Sequence, residues 1–182
     1  MILTASTSVA SGEQPAPAEL RIAPSTPDDR RDIYKLILNS GIFGQADADC
    51  VDGMFAEAMS KPSEDGYRFL SCWSDTPTQD QLIGFACVGR ESLTKDTWDL
   101  FWICVDRVAR GRGAGRALME ETQRLAISEG GRLMVIYTSS TEPYAAARRL
   151  YEAQHFAPTA VVSDYYAEGD DLRIYTKRLR SY

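Results

Sequence analysis

The feature that most restricts this 182-residue chain is a change of texture between Trp98 and Glu129. The run Trp98 to Val105 is the most strongly β-prone of the chain, with Trp, Phe, Ile and Val clustered. Arg110-Gly111-Arg112-Gly113-Ala114-Gly115-Arg116 follows, and then an amphipathic stretch that Gly130-Gly131 closes. A buried strand therefore meets a helix, predicted from Gly113 to Glu129, through a turn with glycine at three alternate positions. Such a turn lets the backbone approach a ligand closely and aims several N–H groups at one point. The positive end of the helix adds to it, and the arginine forks suit phosphate.

Two familiar phosphate loops do not fit these residues. Five positions after Gly111 stands Arg116, with no lysine behind it, so the mononucleotide loop is excluded. The third glycine of a dinucleotide fingerprint counted from Gly111 would also fall on Arg116. What remains is Arg-x-x-Gly-x-Gly from Arg110 to Gly115.

Around this turn the apolar period alternates between helix and strand. Ser25-Thr26-Pro27-Asp28-Asp29 reads as a helix start and Asn39-Ser40-Gly41 as its stop, with Ile33, Leu36 and Ile37 at helical spacing between them. A second helix is expected over Asp47 to Ser60. Strands are expected at Leu20 to Ile22, Tyr67 to Trp73, Leu82 to Val88, Trp98 to Val105, Leu133 to Thr138, Ala157 to Val162 and Leu172 to Leu179, with a turn at Asp75-Thr76-Pro77 and a helix from Pro143 to Gln154. The order β-α-α-β-β-β-α-β-α-β-β predicts an α/β layer fold: a mixed, mostly antiparallel sheet with helices on both faces. Residues 1–18, rich in Ser, Thr, Ala, Pro and Gly, read as a flexible tail, and 19–182 as one domain.

Composition bounds the function. A net charge of -6 argues against nucleic acid as a partner, and no apolar run reaches the length of a membrane helix. The start lacks a secretory signal, so the cytoplasm is expected. Cys50, Cys72, Cys87 and Cys104 show no metal or redox spacing, and with His155 the single histidine no metal site is expected. Homodimerisation is left open.

The turn resembles the signature of the GNAT superfamily of N-acetyltransferases, in which it holds the pyrophosphate of CoA. Glu142 to Phe156 is similar to that family's second hallmark, Ala-x-x-Leu/Phe-Tyr-Glu-x-x-Gly-Phe, matched here by Ala147, Leu150, Tyr151, Glu152 and Phe156. The resemblance implies the GNAT fold, acetyl-CoA as co-substrate, and an amine of a small molecule or peptide as acceptor. It implies cofactor contacts at Ile103, Cys104, Val105, Arg110, Gly111, Arg112, Gly113, Ala114, Gly115, Arg116, Ala147, Arg148 and Tyr151, with Tyr151 also the proton donor to the leaving thiolate. Two positions depart from the pattern: Tyr144 replaces a common asparagine, and His155 a glycine.

An attacking amine must lose a proton. In histone acetyltransferases of the superfamily a glutamate on the central strand takes it; the matching position, eleven before Arg110, is Asp99. Simple alternation puts Asp99 on the face of Phe101 and Ile103, opposite Leu100 and Trp102. Asp164, Tyr165 and Tyr166 are further candidates for the acceptor pocket. A regulatory module that binds acyl-CoA without turnover is the alternative.

Overall fold

A computed structural model describes residues 19–61, 66–76 and 79–180; the segment 1–18 and Pro77 of the expected turn lie outside them. The strands are β1 (Glu19–Pro24), β2 (Arg68–Thr76), β3 (Gln79–Arg90), β4 (Thr97–Val105), β5 (Leu133–Ser139), β6 (Ala157–Ala167) and β7 (Asp170–Arg178). The helices are α1 (Arg30–Asn39), α2 (Gln45–Ser60), α3 (Ala114–Ser128) and α4 (Ala145–Ala153). They follow in the order expected from sequence. The last hairpin exceeds the expected strands: β6 runs to Ala167, where Ala167 pairs with Asp170 beside the tight turn at Gly169.

One sheet holds all seven strands in the order β1-β2-β3-β4-β5-β7-β6, and only the β4–β5 pair is parallel. Two cores form on its two faces. Ile33, Leu36 and Ile37 of α1 and Val51 and Phe55 of α2 pack on Phe69, Phe85 and Cys87. Leu118 and Met119 of α3 and Tyr151 of α4 pack on Val88, Trp98, Leu100 and Ile136. Gly84 permits the close seat of α3, since a Cβ there would lie 3.0 Å from the Cys104 carbonyl and 3.1 Å from Leu118 Cδ1. Truncating a buried leucine such as Leu118 to alanine costs about 2–5 kcal/mol by loss of contacts and cavity formation.

Two local features of β4 shape the site. Its ladder with β5 ends at Leu100–Ile136, although both strands continue. The strands part beyond that point, and residues 101–105 lose their neighbour on the β5 side. On the other side Cys87 pairs with Trp102 and Val88 with Leu100, so Phe101 is bulged out of the β3–β4 ladder. The bulge corrects the face expected from alternation. Leu100, Ile103 and Val105 pack towards α3 and α4, whereas Trp102 and Cys104 pack towards α1 and α2. Asp99, opposite Leu100, thus shares a face with Trp102 rather than with Ile103. An extra residue shifts the phase of every side chain after it.

Candidate active site

The parting of β4 and β5 opens a cavity of about 770 Å³, lined by β4 from Asp99 to Val105, the end of β5, the turn before α3, and α4. Its floor on the turn side is built from backbone. Asp106 accepts a hydrogen bond from the Val108 N–H at 2.9 Å and starts a short 3-10 turn, Arg107–Ala109. Gly111 and Gly113 then adopt left-handed φ of 77° and 88°, a region favourable to glycine. Gly113 caps α3 without any side-chain hydrogen bond. The first N–H groups of the helix are therefore free for an anion, which the helix dipole also favours.

The arginines divide. Arg110 and Arg116 reach the cavity wall. Arg110 Nη2 also donates to the Ser40 carbonyl at 2.8 Å, tying the turn to the end of α1, while Arg116 pairs with Glu120 at 2.8 Å. Arg112 is exposed and Arg148 half-buried, and neither lines the wall. Arg148 Nη1 donates to the carbonyls of Ser139 and Thr141 at 2.7 and 2.8 Å, which anchors the β5–α4 connection. Ile103, Cys104, Val105, Gly111, Gly113, Ala114, Gly115 and Ala147 all face the cavity.

Tyr151 opens on the cavity from α4 and is only 5% exposed. Its hydroxyl shares a hydrogen bond with the Thr138 side chain, and its ring meets Tyr175 edge-on at 5.7 Å. Burial, reinforced by Tyr175 and Tyr144, pushes this phenol well above its usual range, so it stays neutral and able to donate. Cys104, the one thiol on the wall among the described residues, is pushed up to about 12, mainly by burial. A thiol so seldom ionised is a poor nucleophile at neutral pH.

Asp99 is 4% exposed, lines the same cavity, and has no hydrogen-bond partner for Oδ1. Register explains its neighbour. Gly89 pairs with Asp99 and Arg90 with Trp98, and the Glu91 N–H donates to the Thr97 carbonyl at 2.8 Å. Glu91 is therefore diagonal to Asp99 on one face of the hairpin. Burial first, and then the Glu91 carboxyl, push Asp99 up to about 7. Asp164 accepts from the Gly169 N–H at 2.7 Å and closes the last hairpin; of its neighbours, Tyr166 reaches the cavity and Tyr165 does not.

Several wall residues carry no signal in the local sequence. Ser40 Oγ accepts from the N–H groups of Ile42 and Phe43, both at 3.1 Å, and turns these two apolar residues into the cavity. Phe43 meets Trp102 edge-on at 5.3 Å and Tyr144 at 6.1 Å, so Tyr144 helps roof the site from the start of α4. Asp47, Tyr137 and Asp170 arrive from α2, β5 and β7. Isolated apolar residues just past a helix stop are the only hint the sequence offers. Position 155 sits at φ 63°, with its N–H bonded to the Glu152 carbonyl at 2.9 Å: the histidine occupies a left-handed helix end.

Among the described residues no cluster of His, Cys, Asp or Glu could hold a metal ion, and no helix is long and apolar enough to cross a membrane. No curated protein matches the chain. A solved GNAT-family protein from Desulfovibrio desulfuricans is 31% identical, with a TM-score of 0.83 over 89% of this chain and 100% of that one. The ribosomal-protein-S18-alanine N-acetyltransferase of Escherichia coli is 19% identical, with a TM-score of 0.69 over 90% and 96%. A Salmonella typhimurium structure holding acetyl-CoA is also 19% identical, with a TM-score of 0.70 over 90% and 95%. The model of the acetyltransferase (GNAT) family matches residues 32–156, more than half of the chain, and the chain belongs to that family.

Proposed function

We propose that the protein moves the acetyl group of acetyl-CoA to a primary amine of a small molecule or peptide by direct attack. The observation that carries this reading is a buried carboxyl, Asp99, which keeps one oxygen unpartnered and lines the cavity that also receives the N-terminus of α3. One cavity thus has an anion site and a proton acceptor, as acetyl transfer from CoA to an amine requires.

The residues fit the co-substrate. N–H groups from Gly113 to Arg116, with Arg110 and Arg116, would hold the pyrophosphate. The backbone of Ile103, Cys104 and Val105 has no β5 partner and is free to bond an extended pantetheine arm as another strand would. When bound, acetyl-CoA supplies the acetyl thioester. Asp99 takes the proton of the amine, directly or through a water, and frees its lone pair. A backbone N–H near Cys104 or Val105 stabilises the carbonyl oxygen. Tyr151 gives a proton to the sulfur as the C–S bond breaks and the C–N bond forms. The products are the N-acetylated amine and free thiol. The unreactive Cys104 favours this single transfer over an acetylated cysteine.

The test is a pH–rate profile of wild type and Asp99→Asn, read by thiol release with a panel of amines. Activity should rise through about pH 7, where Asp99 loses its proton. Asp99→Asn should lower kcat/KM steeply at pH 7, by a margin that narrows as rising pH supplies free amine. Parallel profiles within about twofold would remove Asp99 from the reaction. Acetyl-CoA binding with no thiol release for any amine would instead favour the regulatory module.

A further inference from the structure

The cavity wall carries charges of both signs. Among its described lining residues the cations are Arg110, in the turn before α3, and Arg116, in the first turn of that helix. The anions are Asp47, Asp99 and Asp170. Asp99 stands six residues up β4 from Val105, about 20 Å away at the rise of a strand. Asp47 and Asp170 both act on the Tyr144 hydroxyl from across the cleft. No ion pair among the described residues neutralises any of the three.

The carboxylates are not equivalent. Asp47 already accepts from the Gly44 N–H at 2.8 Å, and Asp170 from Ser139 Oγ at 2.6 Å and the Ser140 N–H at 3.2 Å. Asp99 alone is deeply buried with an oxygen that nothing satisfies. It is the carboxyl of the wall whose hydrogen bonding is incomplete, and its charge acts on the Tyr137 hydroxyl, so the two side chains are neighbours.

The wall is also aromatic and open. Phe101, Tyr137 and Tyr166 line the cavity yet remain 38%, 49% and 49% exposed. Exposed rings on a cavity wall offer a surface to an apolar group. Their faces also attract a cation, and Phe43 and Trp102 continue the wall inward.

On the reading that the protein acetylates an amine, we propose that its acceptor is a small arylalkylamine: a single ammonium directed at Asp99, on a short linker from an aromatic body that lies against Phe101, Tyr137 and Tyr166. Arg110 and Arg116 suit the anionic co-substrate, whereas Asp99 attracts the cationic acceptor.

Three acceptors decide the matter: 2-phenylethylamine, spermidine and a short peptide with a free N-terminal alanine, each measured by thiol release. The kcat/KM for 2-phenylethylamine should exceed the others by tenfold or more. Trimethyl(2-phenylethyl)ammonium cannot be acetylated; it should compete with the amine. Its binding to the CoA-loaded protein, followed by calorimetry, should weaken about fivefold in Tyr137→Leu and in Tyr166→Leu, with CoA affinity unchanged. Preference for spermidine or the peptide, or calorimetry indifferent to both substitutions, overturns the arylalkylamine assignment and leaves acetyl transfer standing. Intact acetyl-CoA binding without turnover of any of the three sinks the transfer reading and this inference with it.

Discussion

At the turn before α3, what faces a ligand is mostly backbone: the N–H groups from Gly113 to Arg116 and the free edge of β4, supplied by one continuous stretch of chain. Elsewhere in the cavity, what faces a ligand is side chain: Phe43, Asp47, Phe101, Tyr137, Tyr166 and Asp170, brought from four separate stretches by the folding of the sheet. The two ends of one cavity thus obey different constraints. A backbone site tolerates few changes, because Gly111 and Gly113 hold a φ that other residues adopt with strain. A side-chain site can be rebuilt residue by residue without disturbing the scaffold, which suits a part that selects the acceptor.

The largest expected effect lies at the backbone end. Gly113→Glu puts an anion where the pyrophosphate would sit and should cost acetyl-CoA affinity 100-fold or more by calorimetry. Gly113→Ala shares the strain at φ 88° without the charge and should lose about tenfold at most. Equal losses would mean that backbone geometry alone, and not an anion site, is at stake.

Between the two ends stands Tyr151. Tyr151→Phe preserves the ring packing on Tyr175 and removes the proton donor, so kcat should fall about 100-fold while acetyl-CoA still binds. Unchanged turnover, where chemistry limits the rate, would reduce Tyr151 to a packing residue.

At the side-chain end the effects are smaller and depend on pH. Asp99 in the fold holds its proton up to about 7, whereas an unfolded aspartate releases it near ~4. Across that interval the folded state binds the extra proton, so stability is fullest at low pH and declines as pH rises towards 7. Asp99→Asn should therefore raise Tm by on the order of 5 °C at pH 7 and by almost nothing near pH 4. An equal gain at both values would show that Asp99 is not the group responsible. Glu91→Gln removes the neighbouring carboxyl and should move the rise of kcat/KM to lower pH by up to ~1 unit, leaving its height unchanged.

The smallest effect is expected away from both ends. His155→Gly relieves a left-handed backbone at the end of α4 and should stabilise the protein by about 1 kcal/mol in denaturant titration. Activity should be unaffected, and a loss of turnover would draw His155 into the reaction.

The backbone end was legible in the sequence because its determinants are local. Gly111, Gly113 and Gly115 at alternate positions, a β-prone run before them and an amphipathic stretch after them specify strand, turn and helix within some thirty residues. Resemblance to the GNAT motifs offered Tyr151 and Asp99 as candidates, and both line the cavity. The surroundings of those two were not legible. Nothing near residue 91 announces that Glu91 will lie against Asp99, because that contact follows from the register of β3 on β4. Alternation failed at Phe101 for the same reason: a bulge is set by the pairing of two strands, and one strand read alone does not reveal it.

The sequence by itself determined the order of elements, the layer fold and the glycine turn before α3, since periodicity and glycine placement act through neighbours in the chain. Only the tertiary structure decided that β4 and β5 part after Leu100, which arginines reach the cavity, and which buried carboxyl keeps an unpartnered oxygen. Those properties are set by distances and desolvation between residues far apart in sequence, and they exist only once the sheet has closed around them.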